Sequence, residues 1–356
     1  MKLGLGLYRH MLTDENFQFA QQAGCTAIIA HLANYYEEIL PATDGEVNYG
    51  KVREKDPIWE LENLIALKEQ MARYGLEFYG IENFSPGDWY DVLLDGPKRA
   101  EQMAHLKKII RNVGKAGIKT FGYNFSIAGV WGHSKKPVAR GQAISSSFSA
   151  DELPIDLAIP TGDVWNMTYA DETTGTPVGK VSAEEIWDRL KRFLEEMLPV
   201  AEAAGVTLAA HPDDPPMPVL RQTGRLVYQP DLYQTLIDLV PSDSNQLEYC
   251  LGSIQEMSEG DTYEALEQYA SQKKISYVHF RNVKGKVPNY YEVFVDEGDI
   301  DMIECMNILK KHDFQGVLIP DHTPQMTCDA PWHAGMAFAL GYMRGVMQML
   351  EKQIGE

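Results

Sequence analysis

Residues 208–216 read Leu-Ala-Ala-His-Pro-Asp-Asp-Pro-Pro, and this stretch indicates the fold. An apolar run ends there abruptly in a histidine, two acids and three prolines. Such a pattern is typical of a buried parallel strand that emerges into a loop carrying a functional site. Three later apolar runs end in the same manner, at Cys250, at His279 and at Asp321.

Short apolar runs alternate with amphipathic helical segments along the rest of the chain. Strands are expected near residues 3–7, 27–30, 76–81, 119–123 and 207–210, and in the runs that end at Cys250, His279 and Asp321. Eight βα units without a marked shift in composition predict an α/β fold, a single (β/α)8 TIM barrel over residues 1–356, rather than two Rossmann-like halves. The sequence contains no GxGxxG or Walker A motif that would favour a nucleotide-binding fold.

Residues 126–181 interrupt this alternation after the fourth strand. They are rich in Gly, Ser, Thr and Pro, include Trp131 and Trp165, and are far longer than an ordinary βα loop. We therefore expect an inserted region over one mouth of the barrel. A lid is favoured over a linker, because we expect both tryptophans to be exposed and linkers rarely carry exposed tryptophans.

The composition limits the classes of partner. A formal charge of -19 would repel nucleic acid and anionic membranes, and no apolar stretch reaches the ~18 residues of a membrane helix. We expect a cytoplasmic protein with a small-molecule partner, and leave homo-oligomer formation open. The four cysteines lie far apart, which predicts reduced thiols, with Cys25 and Cys305 acting as small buried hydrophobic residues.

The four strand ends predict a metal site. In a barrel of parallel strands, all carboxyl ends lie on one face, so residues distant in sequence converge there. His211, Cys250, His279 and Asp321 end the last four predicted strands. Two imidazoles, a thiolate and a carboxylate suit Mn²⁺, Fe²⁺, Co²⁺ or Zn²⁺ without selecting one of them. We interpret the neighbouring acids Asp213 and Asp214 as turn caps rather than ligands.

Other residues at predicted strand ends would line the same mouth. His31 and Glu82 follow the second and third strands, and Glu82 is either a substrate ligand or a support for the metal ligands. Tyr8 and Arg9 follow the first strand. The planar guanidinium of Arg9 suits a substrate carboxylate, although an ordinary surface arginine is an equal alternative.

Motifs along most of the chain occur together in one known family. They are YNF at 123–125, PVAEAAGV at 199–206, HPDDPP at 211–216, CLGS at 250–253, HFR at 279–281, GDIDM at 298–302 and PDH at 320–322. In these motifs the chain resembles the mannonate dehydratase family, a barrel group of the xylose-isomerase-like superfamily. The resemblance implies dehydration of D-mannonate to 2-keto-3-deoxy-D-gluconate, with Mn²⁺ or Fe²⁺ bound by the four residues predicted as ligands.

The resemblance also suggests individual roles. Dehydration requires a base for the C2 proton and an acid for the departing C3 hydroxyl. The match at 320–322 makes His322 the expected proton-transfer residue, with the orientation of a ligand as its alternative role, and Arg281 would help bind the acid group. The expected catalytic residues are His322, Arg281 and Glu82, and the expected substrate-binding residues are Arg9, His31, Asn124 and His333.

The chain departs from the family pattern around the substrate. Residues 126–133 read Ser-Ile-Ala-Gly-Val-Trp-Gly-His, where the family has Asp-Trp-Thr-Arg-Thr-Asp-Leu, so an arginine expected in the lid is missing. A second histidine after 320–322 is replaced as well. The family's tyrosine before the last helix falls near 331–333, so its role is either lost or taken by His333, Tyr290 or Tyr291.

Two other functions remain open at this point. A divergent isomerase or epimerase of the same superfamily would use the same metal without losing water, with Glu82 as its base. A sugar-binding or scaffold protein would keep the ion for structure alone, but the open barrel mouth and His322 argue against it.

Overall fold

The computed structural model describes residues 1–35, 50–170 and 175–352. Eight parallel strands close into a barrel, each hydrogen-bonded to the next and the eighth to the first. They are β1 (Lys2–Tyr8), β2 (Ala27–His31), β3 (Glu77–Glu82), β4 (Thr120–Tyr123), β5 (Thr207–Ala210), β6 (Asn245–Cys250), β7 (Ile275–His279) and β8 (Val317–Ile319). The predicted (β/α)8 barrel is confirmed.

Each barrel strand is followed by at least one helix before the next strand begins. In chain order the helices are Asp14–Gln22, Leu61–Ala72, Pro86–Leu94, Arg99–Lys115, Ala183–Ala204, Leu232–Leu239, Leu251–Glu256, Thr262–Ser271, Met302–Lys311 and Pro331–Lys352. Their apolar faces pack with the outward side chains of the strands into one large core. Within the described ranges, no helix is both long and apolar enough to cross a membrane.

The helix Ala183–Ala204 shows how local sequence sets these elements. Ser182 and Glu185 form a capping box at its start, and such a cap stabilises a helix by about 1 kcal/mol. Gly205 ends the helix with a φ of 66°, a left-handed conformation that glycine adopts without steric cost. Between them Leu190 and Phe193 are buried on the face turned to the barrel.

Alternation along the strands decides which side chains enter the barrel. The interior contains Ala27, Ile29, Ala209, Tyr277, Val317 and Ile319. The intervening residues, such as Ile28 and Leu318, join the core outside the strands. Because side chains alternate with a period of two, the next inward positions are His31, His211, His279 and Asp321. Most of the residues predicted for the site therefore converge by strand geometry.

The inserted region contributes to a second sheet at the carboxyl-end mouth. Its strands Ser134–Ala139 and Ala143–Ser149 pair with the hairpin strands Asn289–Val293 and Asn282–Lys286, which follow β7, in a four-stranded antiparallel sheet. Trp131 and Trp165 are buried, not exposed. The described part of the inserted region lines the two cavities of the candidate active site. Its action as a lid stays a prediction.

Candidate active site

Two adjoining cavities open at the carboxyl ends of the strands. The inner cavity, of about 570 Å³, is bordered by His31, Glu82, Asn124 and Trp165 among others. The outer cavity, of about 1160 Å³, extends under the antiparallel sheet. They share Tyr8, Val130, Asp214, Asp321 and His322 as lining residues, so they form one continuous space for a ligand.

The predicted metal ligands meet at the inner cavity. The ligand atoms of His211, Cys250 and His279 lie within 4.8 Å of one another. Nδ1 of His211 donates to the carbonyl oxygen of Pro212 at 2.6 Å, which leaves the lone pair of Nε2 available for a metal. Asp321 places Oδ2 3.4 Å from Nδ1 of His279. The structure thus brings together all four residues that the sequence predicted as ligands.

The chemistry of this donor set fits a divalent transition metal. Burial alone would raise the pKa of the Cys250 thiol, but the charge of Arg281 and the hydrogen bonds with His211 and His279 outweigh it and hold that pKa well below its usual value. The thiolate is the form that binds metals. The buried Nδ1 of His279 makes no well-formed hydrogen bond with any described residue, as expected for an atom that binds a metal.

Two buried carboxylates lie on the other side of His279. Its Nε2 is 3.2 Å from Glu248 Oε1 and 3.3 Å from Glu82 Oε2. Burial and the charge of Glu82 raise the pKa of Glu248 well above its usual value. Burial would also raise the pKa of Glu82, but the charges of His31 and His279 lower it to about 2. These carboxylates beside Nε2 orient the imidazole of His279 toward a metal.

The sequence interpretation missed Glu248. It lies two residues before Cys250 in β6, so the alternation that turns Cys250 inward turns Glu248 inward as well. Gly122 of β4 makes room for it, since a Cβ at that position would lie 2.3 Å from Glu248 Oε2 and 2.2 Å from Tyr277 Oη. An acid in the middle of a buried strand was the available signal.

His322 stands at the wall shared by both cavities. Its Nδ1 is 3.0 Å from Glu292 Oε1, its Nε2 is 3.5 Å from Asp321 Oδ1, and 39% of the side chain is exposed. Burial lowers the pKa of His322, but the charges of Asp321 and Glu292 outweigh it and raise that pKa above its usual value. Glu292, which the sequence interpretation missed, therefore holds the ring in place while Nε2 remains available for proton transfer.

Arg281 is placed differently from its predicted role in binding the acid group. It is 2% exposed and donates to Glu256 at 2.8 Å, to Asp214 at 2.8 Å and to Glu292 at 3.1 Å. It also lies 3.3 Å from the sulfur of Cys250 and is not among the residues lining either cavity. With its donors used by protein acids, this guanidinium positions the site rather than contacting a substrate.

The two acids of the 211–216 loop have separate roles. Asp213 accepts hydrogen bonds from the backbone of Leu226 and Val227 and forms an ion pair with Arg225, so it holds a segment distant in sequence and not the next turn that it was interpreted to cap. For Asp214 that interpretation is wrong as well. Its side chain lines both cavities and bonds to Arg281 and to Tyr290, because the loop turns it toward the barrel axis.

Two predicted substrate-binding residues lie away from the cavities. Arg9 follows an inward residue, Tyr8, and so points outward, where it forms an ion pair with Asp56. Nε2 of His333 donates to Asn16 Oδ1 at 2.9 Å, and its ring packs against Phe19. Neither residue lines the inner or the outer cavity, so the structure corrects both predicted roles.

The remaining predicted residues do border the cavity. His31 and Glu82 lie 3.6 Å apart at the inner cavity. Asn124 donates to the carbonyl of Pro212 and accepts a hydrogen bond from the indole of Trp165. Asn124 therefore connects the 211–216 loop to the inserted region.

The inserted region adds a histidine that was not predicted. His133 lines the outer cavity, and its Nε2 lies 2.8 Å from Tyr290 Oη and 3.2 Å from Asp214 Oδ1. Of the residues considered as replacements for the family's tyrosine, Tyr290 thus lies beside the site, while His333 does not.

Comparisons with known proteins identify the family. A family model described as D-mannonate dehydratase (UxuA) matches residues 18–148 and 177–355. The mannonate dehydratase of Streptococcus pneumoniae (strain 70585) is 31% identical over 277 residues, covering 74% of this chain and 74% of that protein. This chain belongs to the D-mannonate dehydratase family. The predicted resemblance is confirmed, and with it the predicted enzyme class of hydro-lyase.

Further relatives extend this match over the whole barrel. The mannonate dehydratase of Geobacillus thermodenitrificans (strain NG80-2) is 26% identical and covers 83% of this chain and 85% of that protein. The crystal structure of mannonate dehydratase from Streptococcus suis serotype 2 superimposes with a TM-score of 0.78 at 25% identity, over 100% of this chain and 95% of that one. An L-ribulose 3-epimerase structure, with a TM-score of 0.57 at 15% identity, shares the fold alone.

Proposed function

We propose that this member of the D-mannonate dehydratase family is a metal-dependent dehydratase of a sugar acid, converting D-mannonate to 2-keto-3-deoxy-D-gluconate and water. The observation that carries the proposal is the convergence of His211, Cys250, His279 and Asp321 beside the His322–Glu292 pair. The names of the relatives support the substrate. Family membership does not favour the isomerase or epimerase alternative.

The metal would be held by the two imidazoles, the thiolate and the carboxylate, and we propose Mn²⁺ or Fe²⁺. A divalent ion bound there supplies a Lewis acid that stabilises negative charge developing on the substrate's oxygens. The protein holds these ligands in the ionisation state and orientation that suit a metal. Arg281 favours the thiolate of Cys250, and the Glu82–Glu248 pair orients His279.

We assign removal of the C2 proton to His322. When its Nδ1–H donates to Glu292, Nε2 carries the lone pair and can accept a proton from a substrate in the cavity. Glu292 suits this function because, although burial alone would raise its pKa, the charges of His322 and Arg281 lower it to about 2. The carboxylate thus remains ionised and stabilises the imidazolium that forms.

Departure of the C3 hydroxyl needs a proton donor, and His133 is our candidate. Asp214 and Tyr290 hold it at the outer cavity, and His322 lines the same cavity. Two histidines, each held by a carboxylate, are thus available for the two proton transfers that dehydration requires.

Turnover of a panel of aldonic and uronic acids tests the proposal. Mn²⁺-loaded protein under reducing conditions should release a 2-keto-3-deoxy acid from D-mannonate, and chelation followed by Mn²⁺ addition should abolish and restore this activity. His322→Asn should lower kcat about 100-fold or more while retaining bound metal. Failure of metal-loaded protein on all acids, or full activity after chelation, would refute the proposal.

A further inference from the structure

The cavities carry several acids but few cations. Asp214, Glu292 and Asp321 line the outer cavity, and Arg281 lies within 3.3 Å of each of them. Arg281 therefore balances acids of the protein itself. An acidic ligand that entered this space would need a further positive group, since desolvating an unpaired carboxylate is costly.

Lys135 provides a side-chain cation at this position. It lies on the strand Ser134–Ala139 of the inserted region and, among the described lysines and arginines, it alone lines either cavity. Its Nζ donates to the uncharged hydroxyl of Ser146 at 2.7 Å, and it forms no ion pair with a described carboxylate. Glu292 and His322 line the same outer cavity as Lys135.

Lys136, the next residue, does not share the access of Lys135 to the outer cavity. Lys136 forms an ion pair with Glu152 and does not line either cavity. Because successive side chains of a strand point to opposite faces, the two lysines share a local sequence but differ in access to the site.

We propose that Lys135 binds the carboxylate of the acidic sugar substrate, and so selects sugar acids over neutral sugars. This inference rests on the proposed function and adds a specificity-determining residue to it. The flexible ammonium of lysine contacts a carboxylate as a point charge rather than in a bidentate manner. Lys135 and His322 line the same outer cavity, so a carboxylate bound by Lys135 would lie at the end of the substrate that carries the C2 proton accepted by His322.

Binding and turnover together test this role. Titration calorimetry would use an unreactive 3-deoxy analogue of the sugar acid and the corresponding neutral alditol, on Mn²⁺-loaded wild type, Lys135→Met, Lys135→Arg and, as matched control, Lys136→Met. In Lys135→Met we expect the acid to bind about 10- to 100-fold more weakly and kcat/KM to fall by at least the same factor. Alditol binding should be unaltered, Lys135→Arg should retain most affinity, and Lys136→Met should match wild type.

The outcomes separate this inference from the proposed function. The inference would be overturned if Lys135→Met bound the acid with wild-type affinity, or if Lys136→Met weakened acid binding equally. It would also be overturned if the wild type bound no acid. If Lys135→Met selectively weakened binding of the acid while the wild type failed to dehydrate it, the result would support acid binding by Lys135 and refute the dehydratase proposal. Higher ionic strength should weaken acid binding more in wild type than in Lys135→Met.

Discussion

Replacing Arg281 with methionine tests whether this residue supports the site or contacts the substrate. The guanidinium is 2% exposed and lies within 3.1 Å of Asp214, Glu256 and Glu292. Methionine fills a similar volume but removes the charge. The three acids then remain buried without the guanidinium that they share.

The expected loss follows from this burial. Breaking a buried ion pair by removing one partner costs about 3–5 kcal/mol. Burial raises the pKa of Glu256 well above its usual value. With about 2.1 cal/mol/K of unfolding entropy per residue over 356 residues, the melting temperature should fall by roughly 4–7 °C.

Urea and thermal unfolding of the metal-loaded and metal-free proteins would measure the effect. Arg140→Met is the matched control, since Arg140 is 48% exposed and pairs with Asp296 at the surface; it should cost less than about 1 kcal/mol. Wild-type stability in Arg281→Met, with a rise confined to KM for the sugar acid, would refute the positioning role and restore the substrate-binding role predicted from the sequence.

Three further substitutions address the metal centre and its surroundings. Cys250→Ser should lower metal affinity at least tenfold in equilibrium dialysis, whereas Cys305→Ser, in a helix, should retain wild-type metal content; equal loss in both would argue against a ligand role. Glu292→Gln should lower kcat about 10- to 100-fold without loss of metal, and unchanged kcat would show that His322 needs no carboxylate. Gly122→Ala should destabilise the protein by about 1–3 kcal/mol and weaken metal binding, and wild-type values in both measurements would contradict the close packing in the barrel.

The barrel and the convergence of the proposed metal ligands could be predicted because both depend on local patterns. Apolar runs that end in His211, Cys250, His279 and Asp321 mark buried strands, and parallel strands necessarily bring their carboxyl ends to one face. Because side chains alternate with a period of two along a strand, the sequence also predicts which residues point into the barrel. This rule also accounts for the outward direction of Arg9.

Tertiary structure decided which charged side chains pair with one another. Arg281 was expected to bind substrate, yet it is surrounded by Asp214, Glu256 and Glu292, which come from a loop, a helix and a strand respectively. Similarly, Glu292 reaches His322 from the hairpin after β7, and Lys135 enters the outer cavity from the inserted region. An ionic contact depends on distances of a few ångströms between distant parts of the chain, and no period in the sequence encodes them. Local periodicity therefore determines which residues gather at the proposed metal site, and long-range packing decides which charged side chains pair with one another and which remain available to a substrate.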